Sequence, residues 1–141
     1  MELLDWRFFA LASAFFASLT AIFGKIGVTN LNSNLATLIR TAVILLFISS
    51  IVSFRKEWQI SEEVTKKQIL FLVMSGLATG ASWLCYFRAL QLGPASKVAP
   101  LDKLSVALTI ILAIIFLGES LNLKTLIGGL LIVLGSIVLV I

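Results

Sequence analysis

Long apolar runs alternate with short polar links along nearly the whole chain. Uninterrupted runs cover residues 8–26, 35–54, 69–90 and 123–141, and an interrupted one covers 96–117. A helix needs roughly 20 apolar residues to cross a bilayer. In lipid each backbone polar group must find its partner inside the protein, which leaves helices as the form for such runs. The pattern therefore predicts an all-α fold: an integral membrane bundle of five transmembrane helices, with residues 1–141 forming a single transmembrane domain.

The links carry the signals expected of helix ends. Thr29-Asn-Leu-Asn-Ser-Asn34 suits a turn and a helix N-cap. The longest polar stretch, Arg55 to Gln68, contains Ser61-Glu-Glu-Val64, which reads as the start of a short surface helix with acids in its first turn. Leu92-Gly-Pro-Ala-Ser96 reads as a tight turn. Pro100 falls inside the fourth run, where it removes a backbone donor and predicts a kink. Small residues recur at spacings that let helices approach closely. Ala10, Ala14 and Ser18 do so in the first run, Gly76 and Gly80 in the third, and Gly128, Gly129, Gly135 and Ser136 in the fifth. Gly76, Gly80, Gly128 and Gly135 are the candidate helix-packing positions, with packing inside one chain favoured over dimerisation for the Gly76–Gly80 pair.

Composition agrees with the pattern. The chain is 60% hydrophobic and 13% charged, against about 45–50% and about 25% for a soluble domain. The net charge of +4 comes from residues in the links, which argues against a nucleic-acid surface. Histidine is absent and Cys85 is the single cysteine. No metal site of the Cys/His type and no Ser-His-Asp triad is expected, no cofactor is implied, and an enzyme is not expected. Acids near the start and a long first run argue against a cleaved signal peptide.

Basic residues set the expected orientation. Arg7, Arg55, Lys56, Lys66, Lys67 and Lys124 fall on one side; Lys25, Arg88 and Lys97 fall on the other once Arg40 and Lys103 are placed within the membrane. The N-terminus is expected in the cytoplasm and the C-terminus outside. Trp6 and Trp58 then mark the inner interface, with Trp83 and Tyr86 nearer the outer one.

Charges inside apolar runs cost about 2.5–3.5 kcal/mol or more each, so they need a partner or water. Arg40 lies ~8 Å into the second run and Asp102 ~9 Å into the fourth, at about 1.5 Å per residue. The candidate substrate-pathway residues are Arg40, Asp102, Lys103, Arg88, Pro100, Trp83 and Tyr86. The alternatives are that Arg40 snorkels to the interface, that Asp102 pairs structurally with Lys103 or Arg40, and that Trp83, Tyr86 and Phe87 are belt residues. Asp102, Ser105 and Thr109 share one helical face, expected to look into the bundle.

Leu92-Gly-Pro-Ala-Ser-Lys-Val-Ala-Pro-Leu-Asp-Lys-Leu-Ser-Val106, running on to Phe116-Leu-Gly-Glu-Ser120, resembles the EamA family of the drug/metabolite transporter superfamily. Leu126-Ile-Gly-Gly-Leu-Leu-Ile-Val-Leu-Gly135 and Arg40 within Ala36-Thr-Leu-Ile-Arg-Thr41 are similar to it as well. Most family members resemble two five-helix repeats in opposite orientations, and this chain holds one. The resemblance implies half of a ten-helix transporter, completed by a homodimer that is either parallel or antiparallel. The site would then lie near the midplane, at the repeat interface.

The sequence as a whole predicts a multi-pass inner-membrane transporter of a small metabolite or drug-like solute, working by alternating access. Its partners would be the lipid bilayer, the solute and a second copy, with no nucleic acid. The cationic excess leans toward an anionic or zwitterionic solute. The alternative is a non-transporting scaffold or an accessory subunit of a larger transporter.

Overall fold

In a computed structural model of the chain, residues 5–59 and 64–141 are described. The helix start expected at Ser61-Glu-Glu falls outside them. Helices are α1 (Trp6–Gly27), α2 (Ser33–Arg55), α3 (Lys66–Leu92), α4 (Ala95–Asp102), α5 (Leu104–Leu112) and α6 (Leu123–Val140), with a π-helical turn at Ala113–Leu117. No strand occurs among the described residues. Five segments are long and apolar enough to span a membrane, with α4, α5 and the π turn together making the fourth, Ala95–Leu117.

The caps follow from the link residues. Asn32 accepts from the Asn34 and Leu35 amides at 2.9 and 3.3 Å and starts α2. Asn122 accepts from the Thr125 amide at 2.8 Å and starts α6. Each satisfies amides that the first helical turn leaves without partners. Lys56 takes a left-handed conformation (φ 57°) to end α2, with the Glu57 amide reaching back to the Val52 carbonyl at 2.9 Å.

The fourth span breaks where proline predicts. Pro100 sits inside α4 and offers no amide to the Ser96 carbonyl. Three residues past it the chain tightens: the Lys103 amide reaches the Pro100 carbonyl at 3.0 Å, and the Val106 amide reaches the Lys103 carbonyl at 3.0 Å. These three-residue steps separate α4 from α5 at Lys103. The span then widens into the π turn and stops at Gly118, whose left-handed backbone (φ 68°) lets its amide and that of Glu119 turn back to the Ala113 carbonyl.

The described chain divides into two compact units. One is the chain up to Lys25 together with Leu92–Ile141; the other is Ile26–Gln91. In the first, α6 packs along α4 and α5. Gly129 and Ser136, seven residues apart on α6, are buried there. In the second, Val28, Ser33, Ala36, Thr37, Phe87 and Leu90 are buried. Most of each span is nevertheless exposed, between 0% and 11% of its most apolar window being buried. Soluble monomers rarely expose apolar patches beyond a few hundred Å². The outward leucines, isoleucines and phenylalanines instead suit hydrocarbon, and the chain is a multi-pass membrane protein.

Candidate functional site

The densest polar arrangement of the Ile26–Gln91 unit centres on Arg40. It lies seven residues beyond Ser33, the first residue of α2, a depth of ~10 Å at about 1.5 Å per residue. Its guanidinium carbon stands 4.0 Å from the Trp83 ring centroid and 5.3 Å from that of Phe87. Trp83 and Phe87 are four residues apart on α3 and so share a face. The nearer ring, Trp83, is the one farther from the C-terminal end of α3. A guanidinium over an aromatic face gains roughly 0.5–2 kcal/mol, the upper end when desolvated.

The two threonine hydroxyls nearest Arg40 along α2 are committed to their own helix. The Thr37 hydroxyl donates to the Ser33 carbonyl at 2.9 Å and that of Thr41 to the Thr37 carbonyl at 2.8 Å. Tyr86 lies edge-on to Phe87, with centroids 6.3 Å apart. One Arg40 nitrogen, Nη1, is buried with no hydrogen-bond partner. Arg88 is occupied: its Nη1 donates to Gln91 Oε1 at 2.6 Å. The Gln91 amide nitrogen in turn donates to the Leu31 carbonyl at 2.7 Å and weakly to that of Val28 at 3.4 Å. That relay ties the end of α3 to the link before α2 and sets Trp83 and Phe87 at the level of Arg40. An open groove of about 550 Å³ lies at the opposite end of α3, lined by Val64, Lys67, Gln68, Phe71 and Leu72.

The other unit holds the remaining candidates. Asp102 pairs with its neighbour Lys103 at 3.6 Å, at the junction of α4 and α5. Both side chains are substantially exposed, at 40% and 54%. Ser105 and Thr109 continue the polar face, and both are exposed rather than turned into the packed side of α5. Lys97 donates to the Val140 carbonyl at 2.9 Å and so closes the end of α6. Lys25 donates to the Gly93 carbonyl at 2.8 Å and steadies the Gly-Pro turn.

None of the four candidate packing glycines makes a close approach within the chain, and the in-chain packing expected of Gly76 and Gly80 is not found among the described residues. A Cβ on Gly76, Gly80, Gly128 or Gly135 would meet no atom within 4 Å, whereas one on Gly129 would meet Ile110 Cδ1 at 3.0 Å. Among these glycines of the described residues, the tight approach falls on Gly129.

Residues 5–141 match the EamA-like transporter family. The chain belongs to that family. It is 54% identical over 135 residues to a Sinorhizobium sp. protein named "Uncharacterized transporter in cobO 3'region", covering 96% of each chain. It is 38% identical over 77 residues to an uncharacterized protein of Methanocaldococcus jannaschii, covering 54% of this chain and 56% of that one. No solved structure matches. As an EamA-like protein the chain places its in-membrane charges in two settings: an arginine on an aromatic platform, and an acid–lysine pair at a helix break. Phe87, grouped by sequence with Trp83 and Tyr86, joins the first setting, and so does Gln91, which sequence had not singled out. The signal for Gln91 was position, at the polar end of the run.

Proposed function

We propose that the protein is a secondary transporter that moves a small metabolite or drug-like solute across the cell inner membrane by alternating access. It works as a homodimer of five-span chains, with its N-terminus in the cytoplasm. The observation that carries this reading is the fourth span: an apolar helix interrupted at Lys103, with an exposed Asp102–Lys103 pair at the interruption. Irregular backbone and charge at membrane depth are tolerated where they line a water-filled cavity or protein, and discontinuous helices build the solute sites of many transporters. The exposed Ser105 and Thr109 extend the same polar face. A second copy set against that face would shield it from lipid. The match to the Sinorhizobium relative over 96% of that protein's length supports a five-span unit as the building block.

Two measurements on one preparation test the reading. Single cysteines placed along α5 in a Cys85→Ser background are cross-linked in cells, with each terminus tagged for side-specific labelling. The purified protein is then reconstituted in liposomes for counterflow with a panel of organic acids, amino acids and quaternary ammonium compounds. Cross-links between copies together with counterflow of at least one compound support a dimeric transporter. A single orientation without such cross-links, and without counterflow of any compound, sinks it in favour of a scaffold or accessory subunit.

A further inference from the structure

All but one of the cations of the described chain fall into three groups. Arg7, Arg55 and Lys103 are in ion pairs with Asp5, Glu57 and Asp102. Lys25, Lys97 and Arg88 donate to carbonyl oxygens. Lys56, Lys66, Lys67 and Lys124 are exposed at helix ends. Arg40 belongs to none of these. It lies inside a span, its positive charge faces two rings, and its Nη1 is buried without an acceptor.

A guanidinium is planar, and its two kinds of surface do different work. The face is apolar enough to stack, and Trp83 covers it. The edge carries five N–H donors in a fixed fork that matches the two oxygens of a carboxylate or phosphate. Stacking leaves that edge unsatisfied, and the neighbouring threonine hydroxyls donate to their own helix. Burying an unpaired donor costs about 1–3 kcal/mol, more for a charged one. A charged donor without an acceptor gains from pairing with an anion.

We infer that Arg40 is an oxyanion-binding residue: its unpartnered guanidinium edge takes a carboxylate or phosphate group of a ligand, with Trp83 and Phe87 as the platform that fixes the fork. For the solute class this rests on the transporter reading, because it makes the transported compound an organic anion. The binding step itself requires no transport. A soluble carboxylate or phosphate and the phosphate of a lipid headgroup offer the same chemistry.

The test uses a Trp6→Phe, Trp58→Phe background, in which Trp83 is the remaining tryptophan of three and reports on the guanidinium above it. The protein in a maltoside detergent, free of phosphate, is titrated with acetate, benzoate and inorganic phosphate, with chloride as the ionic-strength control. A second arm adds short-chain phosphatidylglycerol. The expected result is a saturable change in Trp83 emission with at least one oxyanion and none with chloride. Arg40→Gln weakens it about tenfold or more, and Arg40→Lys, which keeps the charge without the fork, retains part of it. Saturation by acetate, benzoate or phosphate assigns a soluble anion; saturation by the lipid alone assigns a headgroup. The absence of a saturable response in both arms, with the Arg40-containing protein monodisperse and folded, overturns the inference. So does an undiminished response in Arg40→Gln. Counterflow by an Arg40-containing protein that shows no saturable oxyanion response defeats this inference and leaves the transporter reading standing; oxyanion binding without counterflow of any compound does the reverse.

Discussion

Ile110 Cδ1 of α5 stands 3.0 Å from the point where a Cβ on Gly129 of α6 would lie. That contact fixes how closely the two helices approach in a membrane, where packing and not hydrophobicity holds spans together. Gly129→Ala must push Ile110 aside, and Gly129→Val must separate the helices. Overpacking of this kind costs about 1–3 kcal/mol. Melting of the purified protein in detergent should show a lower midpoint for Gly129→Val, partly restored by Ile110→Ala. Gly128→Ala, one position away with open space around it, should be neutral or stabilising, by about 0.5–1 kcal/mol.

Gly118 holds a left-handed backbone with φ of 68° at the end of the π turn. A side chain there is strained by roughly 1–2 kcal/mol. Gly118→Ala is expected to lower the melting midpoint, and Gly118→Asn to lower it less, since asparagine tolerates that region. Equal losses for the two would mean that the glycine serves some purpose other than its conformation.

Pro100→Ala returns a backbone amide to α4 and removes the ring that disturbs the Ser96 carbonyl. The span should straighten through Lys103. Stability is expected to rise, and counterflow in liposomes to fall, if the break serves transport. Full counterflow with a higher melting midpoint would show Pro100 to be a static kink.

Lys97 closes α6 by donating to the Val140 carbonyl at 2.9 Å. Lys97→Met keeps the stem and loses the donor, at a cost of about 1 kcal/mol. Hydrogen exchange should speed up over the last turn of α6, with the amides of α2 unchanged.

The five spans were legible because bilayer thickness acts on the sequence directly. The predicted run 35–54 became Ser33–Arg55, and 69–90 became Lys66–Leu92. The small extensions arise because helical hydrogen bonds continue into interfacial polar residues after apolarity has ended. Pro100 announced the break near Lys103, since a missing amide is a local property. The π turn was not legible: Ala113–Leu117 is an unmarked apolar run, and its widening follows from how Gly118 redirects the chain.

The arginine platform was half legible. Arg40 and Trp83 each stood out, the first as an in-membrane charge and the second as an aromatic at an interface. Their union depends on the Gln91 relay, which sets the register of α3 against the link before α2. No periodicity within one helix encodes that register. Asp102 and Lys103, adjacent in sequence, paired as proximity suggested. Gly129 stood among equally plausible small residues, and only the path of α5 distinguishes it.

The stacked arginine also bears on ion leakage. Its charge is permanent, and its Nη1 is buried without a hydrogen-bond partner. A sodium ion or hydronium coming within about 8 Å would meet a repulsion on the order of 2 kcal/mol at an effective dielectric constant near 20. That thins the local population of small cations by roughly thirtyfold, since each 1.4 kcal/mol is a factor of ten.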